Sequence, residues 1–222
     1  MMKILALETS TDACSAALMI NEVTIERYQL APREHSELIL PMLQSLLAEA
    51  QLQLSQLNAI AFSCGPGSFT GVRIAASLVQ GLGFGVDLPV IPISSLKTLA
   101  QTAYDELNAE NVLVAFDARI GQIYWGMYQV KKNGLVQSIT KDSLAQPDDV
   151  QLPKDDSWIG VGDGWELYLD VLKRRLSKKL IRIEPQLYPR AKQVAKLAYI
   201  DLQANKTVPA DKALPVYLRS VL

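Results

Sequence analysis

The sequence predicts an α/β protein made of two related halves, and two observations support this. Apolar strand-like runs alternate with helical periodicity along the first half of the chain. An order of strand, acid, turn, strand, turn and strand then occurs twice, with Glu8 and Asp117 each ending the first strand of a copy. The two copies share the pattern and little sequence. They therefore predict two like halves that face each other across a cleft.

The first half begins with three predicted strands at residues 3–8, 14–20 and 23–30. Asn21-Glu22 is a turn signal, and residues 23–30 alternate as a strand does, so the three strands should form an antiparallel meander. The remaining elements predicted for this half are helices at 34–51, 72–83 and 95–107 and strands at 59–63 and 89–93.

The second half repeats the meander with strands at 112–117, 122–130 and 135–139, the last two joined by an Asn133-Gly134 hairpin turn. A strand at 158–161 and helices at 165–177 and 191–203 follow. We expect an N-terminal subdomain at 1–107 and a C-terminal subdomain at 108–222. An alternative is that the last segment packs back on the N-terminal half.

Composition excludes several classes of protein. The 22 basic and 23 acidic residues nearly balance, so no overall charge attracts the chain to nucleic acid. The apolar N-terminal run is short and contains Glu8, so it predicts neither a signal peptide nor a membrane anchor. No stretch approaches the about 18 apolar residues of a membrane span. Together these features predict a cytoplasmic protein without a membrane partner. The single histidine, His35, argues against a histidine-rich metal site or a Ser-His-Asp triad.

A glycine-rich loop at residues 65–73 (GPGSFTGVR) lies between a predicted strand and a predicted helix. It has neither the lysine nor the spacing of a phosphate-binding loop. Two interpretations remain open: a tight packing corner, or an anion site formed by free N–H groups at the helix start. The residues that we consider for nucleotide or anion contact are Glu8, Thr9, Ser10, Gly65, Gly67 and Ser68.

Several motifs in order along the chain resemble those of the TsaB (YeaZ) family. They are residues 32–35 (PREH) with Leu40-Pro41, 64–85 (CGPGSFTGVRIAASLVQGLGFG), 116–119 (FDAR) with Tyr124-Trp125, 162–165 (GDGW) and 215–219 (PVYLR). These motifs span most of the chain, so the resemblance is specific at the level of the family.

The resemblance implies an actin, Hsp70 and sugar-kinase-like (ASKHA) fold with two related βββαβα subdomains. It implies a role in placing threonylcarbamoyl on the adenosine next to the tRNA anticodon. The expected partners are a TsaD-like catalytic paralogue, a TsaE-like ATPase and, when the protein is alone, a second copy of itself. Contact with tRNA is expected only through the complex. No cofactor is expected in the isolated subunit, because ATP, ADP and metal belong to the partner subunits.

The resemblance also implies that this subunit is not catalytic. The sister family, that of the TsaD-like catalytic paralogues, carries a metal-binding H-x-x-x-H motif after a strand that ends in Ile-Pro. In this chain Ser95 and Leu99 occupy the histidine positions, and leucine cannot bind a metal ion. Glu8 also stands where many family members have aspartate. The alternatives are a stand-alone ASKHA-type phosphotransferase or ATPase, or a protease related to the glycoprotease-like M22 family.

The predicted helix over residues 38–50 is apolar over an arc of about 200°, twice the width that an ordinary surface helix needs. It either packs between its own sheet and another chain, or lies between two elements of its own domain. With the small residues of the following helix, it could join two partner helices in a four-helix bundle. The predicted interface residues are His35, Leu38, Ile39, Met42, Leu43, Leu46, Val72, Ala75, Ala76, Val79 and Gly83.

Two charged features remain open at this level. The basic run at residues 173–179 (KRRLSKK) suits either tRNA phosphates or a solvated helix end. Asp117 and Arg119 either form an ion pair or face the predicted cleft.

Overall fold

The computed structural model describes residues 1–155 and 157–219. Its contacts divide the chain into two compact units. The first unit comprises Met1–Thr98 and Pro189–Val216, and the second comprises Leu99–Tyr188 and Tyr217–Leu222. This division falls nine residues earlier than the one expected after residue 107, inside a helix, and it assigns a C-terminal segment to the first unit.

The first unit holds most of the N-terminal elements. They are β1 (Lys3–Glu8), β2 (Ala13–Ile20), β3 (Val23–Leu30), α1 (His35–Glu49), β4 (Ala59–Gly65), α2 (Phe69–Val86) and β5 (Val90–Ser94). Helix α3 (Ser95–Leu107) begins in this unit and ends in the second. The five strands form one sheet in the order β3-β2-β1-β4-β5, in which β1, β2 and β3 are antiparallel neighbours and β1, β4 and β5 are parallel.

The second unit holds the remaining strands and two short helices. They are β6 (Asn111–Asp117), β7 (Ile123–Val130), β8 (Val136–Ser138), β9 (Ser143–Ala145), β10 (Trp158–Val161), α4 (Gly164–Leu167), α5 (Leu169–Leu176) and β11 (Leu180–Glu184). Helix α6 (Ala191–Gln203) follows and belongs to the first unit. The second sheet has the order β11-β10-β6-β7-β8, and β9 pairs with β7. Each sheet thus places the first strand of its meander in the centre, which confirms the predicted repeat.

One face of the first sheet packs against α1 and α2. Leu5, Leu7, Ile60 and Phe62 form a core with apolar residues of both helices. Because side chains alternate along a strand, residues such as Ala6 must point to the opposite face. Register places Ala17, Ala6 and Ala61 side by side on β2, β1 and β4.

Helix α6 covers this alanine row. It packs on β1, β2, β4 and β5, and its buried residues include Ala191, Val194 and Ala198. Small side chains on both partners let the helix approach the sheet closely, so burial on this face depends on shape more than on bulk. Ser15 on β2 accepts a hydrogen bond of 2.9 Å from the Ala191 N–H at the start of α6.

Glu26 on β3 fixes the start of α6. One carboxylate oxygen accepts hydrogen bonds from the Arg190 guanidinium at 2.7 and 3.1 Å, and the other accepts the Lys192 N–H at 3.1 Å. The Arg190 guanidinium also lies 4.3 Å from the centre of the Tyr28 ring. A carboxylate at a helix N-terminus is favourably placed in the helix dipole. Glu26 therefore joins the last helix to the N-terminal sheet.

Three tryptophans dominate the core of the second unit. Trp125, Trp158 and Trp165 are almost fully buried, and the rings of Trp125 and Trp165 lie 5.9 Å apart. The Trp165 N–H donates to the Leu113 carbonyl at 3.2 Å. Gly160 is required beside this ring, because a Cβ there would lie 2.5 Å from it.

Several predicted elements differ from those observed. The single helix predicted over residues 165–177 is broken at Tyr168 into α4 and α5. Strands β9 and β11 were not predicted, and α2 extends three residues beyond the predicted span at each end. The edge strands are short and lack clear alternation, so their pairing comes from the neighbouring strand rather than from local pattern.

Helix α2 corrects the prediction that no stretch approaches the length and apolarity of a membrane span. By length and composition its 18 residues pass that test, as core helices of water-soluble proteins also do. Six of the 18 residues are buried within the chain. The composition of α2 thus reflects one face packed in the core and a second apolar face that the described chain leaves partly exposed.

We expect Glu26→Ala to lower the free energy of unfolding by about 1–3 kcal/mol, because it leaves a half-buried guanidinium without its partner and uncaps α6. Glu49→Ala is the matched control, since Glu49 pairs with Arg27 at an exposed site and should contribute less than about 1 kcal/mol. Urea unfolding of both variants measures the difference. Equal losses would contradict the role assigned to Glu26.

Candidate functional site

The residues predicted to contact a nucleotide or anion lie in the first unit, at the end of β1 and at the glycine-rich loop that opens α2. Glycine is needed at two positions of the loop, because neighbouring backbone takes the space of a side chain. A Cβ at Gly67 would lie 2.4 Å from the Ser10 carbonyl oxygen, and a Cβ at Gly71 would lie 1.9 Å from the Thr9 carbonyl oxygen.

Hydrogen bonds close the same corner. The Ser68 N–H donates to the Ser10 carbonyl at 2.7 Å, and the Thr9 hydroxyl donates to the Gly71 carbonyl at 2.8 Å. The Ser68 hydroxyl caps α2 by accepting the Gly71 N–H at 3.3 Å. These bonds use two N–H groups that an anion would need. They favour the packing-corner interpretation, and contact with a nucleotide or anion stays a prediction.

Glu8 lies in a buried polar row on the α6 face of the sheet. The strand register pairs Glu8 with Ser15 of β2. On the other side, Leu7 pairs with Phe62 of β4, so Ser63 is the next residue along β4 as Glu8 is along β1. Its carboxylate has no exposed surface, and one oxygen accepts the Ser10 N–H. Burial raises the pKa of Glu8, and hydrogen bonds from Ser10 and Ser63 oppose this only in part. The site therefore favours the neutral form of a carboxyl group.

Ser95 and Leu99, which stand at the positions of the sister family's histidines, are both fully buried. In the chain from residue 1 to 155 and from 157 to 219, no three His, Cys, Asp or Glu side chains come together as metal ligands would. Buried Cys14 and Cys64 are free thiols, and burial raises the pKa of Cys14 to about 12.

Most of the predicted interface residues are already buried in the first unit. Leu38 and Met42 are partly exposed, whereas His35 is 7% exposed and is held by the Thr11 and Ala13 carbonyls, 2.8 and 3.2 Å from its Nε2. The others lie in the core on α1 and α2: Ile39, Leu43, Leu46, Val72, Ala75, Ala76, Val79 and Gly83. This placement changes which side chains a partner could touch. Docking by the two helices stays a prediction.

The surface of these two helices, here called the outer face, presents other apolar residues. Phe84 is 84% exposed and Leu40 is 41% exposed. Leu38 and Met42 on α1 and Ile74, Leu78 and Leu82 on α2 are partly exposed as well, while they also pack against the core. Sequence reasoning applied the test of excess apolar arc to α1 alone. The same test on α2 would have identified Phe84.

In the second unit, Asp117 ends β6 and Arg119 lies two residues later in the turn that follows. The two form an ion pair of 2.9 Å, and the Asp117 carboxylate also accepts the Arg119 N–H at 2.9 Å. Arg219 clasps the turn by donating to the Ala118 carbonyl at 3.0 Å and the Gln122 side chain at 2.8 Å. These contacts within the second unit give the pair a structural role.

A second glycine corner in this unit matches that of the first. Gly162 and Gly164 follow β10, as the glycine-rich loop follows β4, and a Cβ at Gly162 would lie 2.4 Å from the Ala115 carbonyl oxygen. Asp163 between them accepts the Asp117 N–H at 3.0 Å. In both units, therefore, the corner between a strand and the following helix packs against the end of the central strand.

A family model described as TsaD, tRNA N6-adenosine threonylcarbamoyltransferase, matches residues 22–220. A solved structure of YeaZ from Pseudomonas aeruginosa is similar over 98% of this chain and 100% of its own chain, with 42% identity and a TM-score of 0.92. Together with the repeated sheets, these matches define the class: an α/β protein of two ASKHA-like subdomains, related to the TsaD transferases.

Curated relatives narrow the class to one family. The tRNA threonylcarbamoyladenosine biosynthesis protein TsaB of Escherichia coli (strain K12) is 40% identical over 99% of this chain and 95% of its own length. The TsaB protein of Bacillus subtilis (strain 168) is 32% identical over 98% of this chain and 94% of its own. The chain belongs to the TsaB (YeaZ) family.

Gly71→Ala tests the packing corner. We expect it to lower the free energy of unfolding by more than about 2 kcal/mol, because the Thr9 backbone must move. Gly81→Ala in the same helix is the control, because its Cβ would meet no atom within 4 Å. That change should stabilise the isolated chain by about 0.5–1 kcal/mol. Urea unfolding would contradict the packing role if both changes were stabilising.

Glu8→Gln tests the buried carboxyl. Because folding raises the pKa of Glu8, the folded chain holds more protons than the unfolded chain between the two pKa values, and stability falls as pH rises through that interval. Glutamine cannot titrate and still accepts the Ser10 N–H. The stability of the variant relative to the parent should therefore increase from acid to alkaline pH.

Urea unfolding at several pH values measures this difference, and Glu22→Gln, at an exposed site, is the control. A difference between Glu8→Gln and the parent that stayed constant with pH would show that Glu8 titrates as it does in the unfolded chain.

Proposed function

We propose that this chain is a non-catalytic subunit in the biosynthesis of threonylcarbamoyladenosine in tRNA, and that its outer face binds a TsaD-like catalytic subunit. The names of its curated relatives support the pathway. A TsaE-like ATPase completes the complex, and a second copy of the chain takes the place of the TsaD-like subunit when the protein is alone. The complex works in the cytoplasm.

The observation that carries this proposal is the apolar exposure of α2. Its buried side already packs on β4, yet Phe84 projects from the other side with 84% of its surface exposed. Exposed apolar patches rimmed by polar residues are typical of protein interaction sites. Gly81 and Gly85 lie on the same side, with no atom within 4 Å of a Cβ at either position. Their missing side chains leave room for the close approach of a partner helix.

The buried residues at the end of β1 and at the start of α3 support a subunit that carries out no transfer. Serine and leucine stand at the positions of the sister family's histidines, and both side chains are enclosed in the core. Glu8 is enclosed as well, in a site that favours its neutral form. A carboxyl group with no exposed surface is poorly placed to hold a magnesium ion. ATP, ADP and metal are accordingly held by the partner subunits.

Phe84→Glu tests the docking surface. We expect it to weaken binding to the TsaD-like subunit of the same organism by at least about tenfold, because it places a charge in an apolar contact. Val23→Glu is the matched control, since Val23 is 73% exposed on β3 of the same unit. Calorimetric titration and size-exclusion chromatography measure association, and circular dichroism confirms that both variants are folded.

Unchanged association of a folded Phe84→Glu variant would contradict the proposed surface. The alternatives make a different prediction, because a stand-alone phosphotransferase, ATPase or protease would show turnover by the isolated chain. Nucleoside analysis of tRNA after depletion of the protein tests the pathway itself.

A further inference from the structure

The second unit carries a concentrated positive charge that the proposed function does not explain. Six of the chain's 22 basic residues and none of its 23 acidic residues lie between positions 171 and 183. The whole chain has a formal net charge of −1, so the rest of the molecule is net negative. A local positive segment on such a protein attracts anions to one place rather than over the whole surface.

Packing fixes the direction in which this segment faces. Leu172 and Leu176 anchor α5 in the core of the second unit. Lys173, Arg174 and Lys178 are exposed. These three residues and Lys179 are here called the basic face.

The basic face is held by the protein rather than left to move with a solvated helix end. Arg175 donates to the Val150 carbonyl at 3.2 and 3.4 Å, and the Lys179 ammonium donates to the Lys154 carbonyl at 3.1 Å. Both contacts join the segment around α5 to the segment that precedes β10. The backbone around Lys178 is therefore already ordered in the folded chain, so binding does not have to lower its conformational entropy.

Within the described residues, Lys173, Arg174 and Lys178 form no ion pair. By contrast, Arg182 on β11 is paired with Glu184 at 2.6 Å. The helix dipole accounts for basic residues in the last turn of α5, namely Lys173, Arg174 and Arg175. It does not account for Lys178 and Lys179, which follow in a separate 3₁₀ turn.

We propose that the basic face binds the phosphodiester backbone of tRNA directly, an inference that rests on the proposed role in tRNA modification. Positions 171–183 contain no aromatic residue, so the surface offers no platform for stacking bases. Its contacts are to phosphates and carry no sequence information. Binding is therefore electrostatic, tolerant of tRNA sequence and strongly dependent on salt.

The test is a triple charge reversal, Lys173→Glu with Arg174→Glu and Lys178→Glu, in the full chain. The matched control reverses Lys131, Lys132 and Lys141, which are three exposed lysines of the same unit, so that the net charge changes equally. Fluorescence anisotropy with labelled, unmodified tRNA gives the dissociation constant over about 50 to 200 mM salt, for the chain alone and in its complex.

We expect the basic-face variant to bind tRNA at least about tenfold more weakly, and its slope of log affinity against log salt to be shallower by about 2–3. The control should stay within about threefold of the parent. Equal affinity of the basic-face variant and the parent would overturn the proposal. So would an equal loss in the control, since net charge alone would then explain it, or binding to anionic vesicles but not to tRNA.

The same samples separate this inference from the proposed function. Size-exclusion chromatography with the TsaD-like subunit should show that the basic-face variant assembles normally. Normal assembly with unchanged tRNA affinity would overturn the basic face alone. Failure of the parent chain to assemble would count against the proposed function.

Discussion

The first unit depends on the packing of α6 across the alanine row of the N-terminal sheet. The sheet has two apolar faces, and α1 and α2 cover only one of them. The other face is lined by Ala6, Ala17 and Ala61, which present little surface of their own and need a closely fitting partner. That partner arrives from the C-terminal part of the chain and is fixed by Glu26 and Ser15. The N-terminal unit therefore cannot complete its core until most of the chain has been made.

This packing also determines the chemistry available at the end of β1. Covering the α6 face encloses Glu8, and the resulting desolvation favours its neutral form. The glycine-rich loop packs against Thr9 and Ser10, and its N–H groups donate hydrogen bonds to protein carbonyl oxygens. This corner is thus tied into the core. The same unit leaves apolar side chains exposed on the outer face of α1 and α2, among them Phe84 and Leu40.

Much of the fold follows from the sequence because strands and helices leave local signatures. Alternation and turn residues located β1, β3 and β10, and the acids at Glu8 and Asp117 revealed the repeat that both sheets share. Sequence failed where local signals were weak or where partners were distant. The break at Tyr168 separates two helical segments of similar pattern, and β11 exists because β10 pairs with it.

The sequence by itself determined the α/β class, the doubled topology and the unusually wide apolar arc of α1. Only the tertiary structure decided which sides of α1 and α2 are covered. Periodicity shows that Ile39, Leu43 and Val79 share faces with their neighbours, but it does not tell which face meets the sheet. That choice is made by contacts between residues far apart in the chain, and it buried those side chains while leaving Phe84 outside. The physical reason is that a side chain's exposure depends on its surroundings, which no local window of sequence contains.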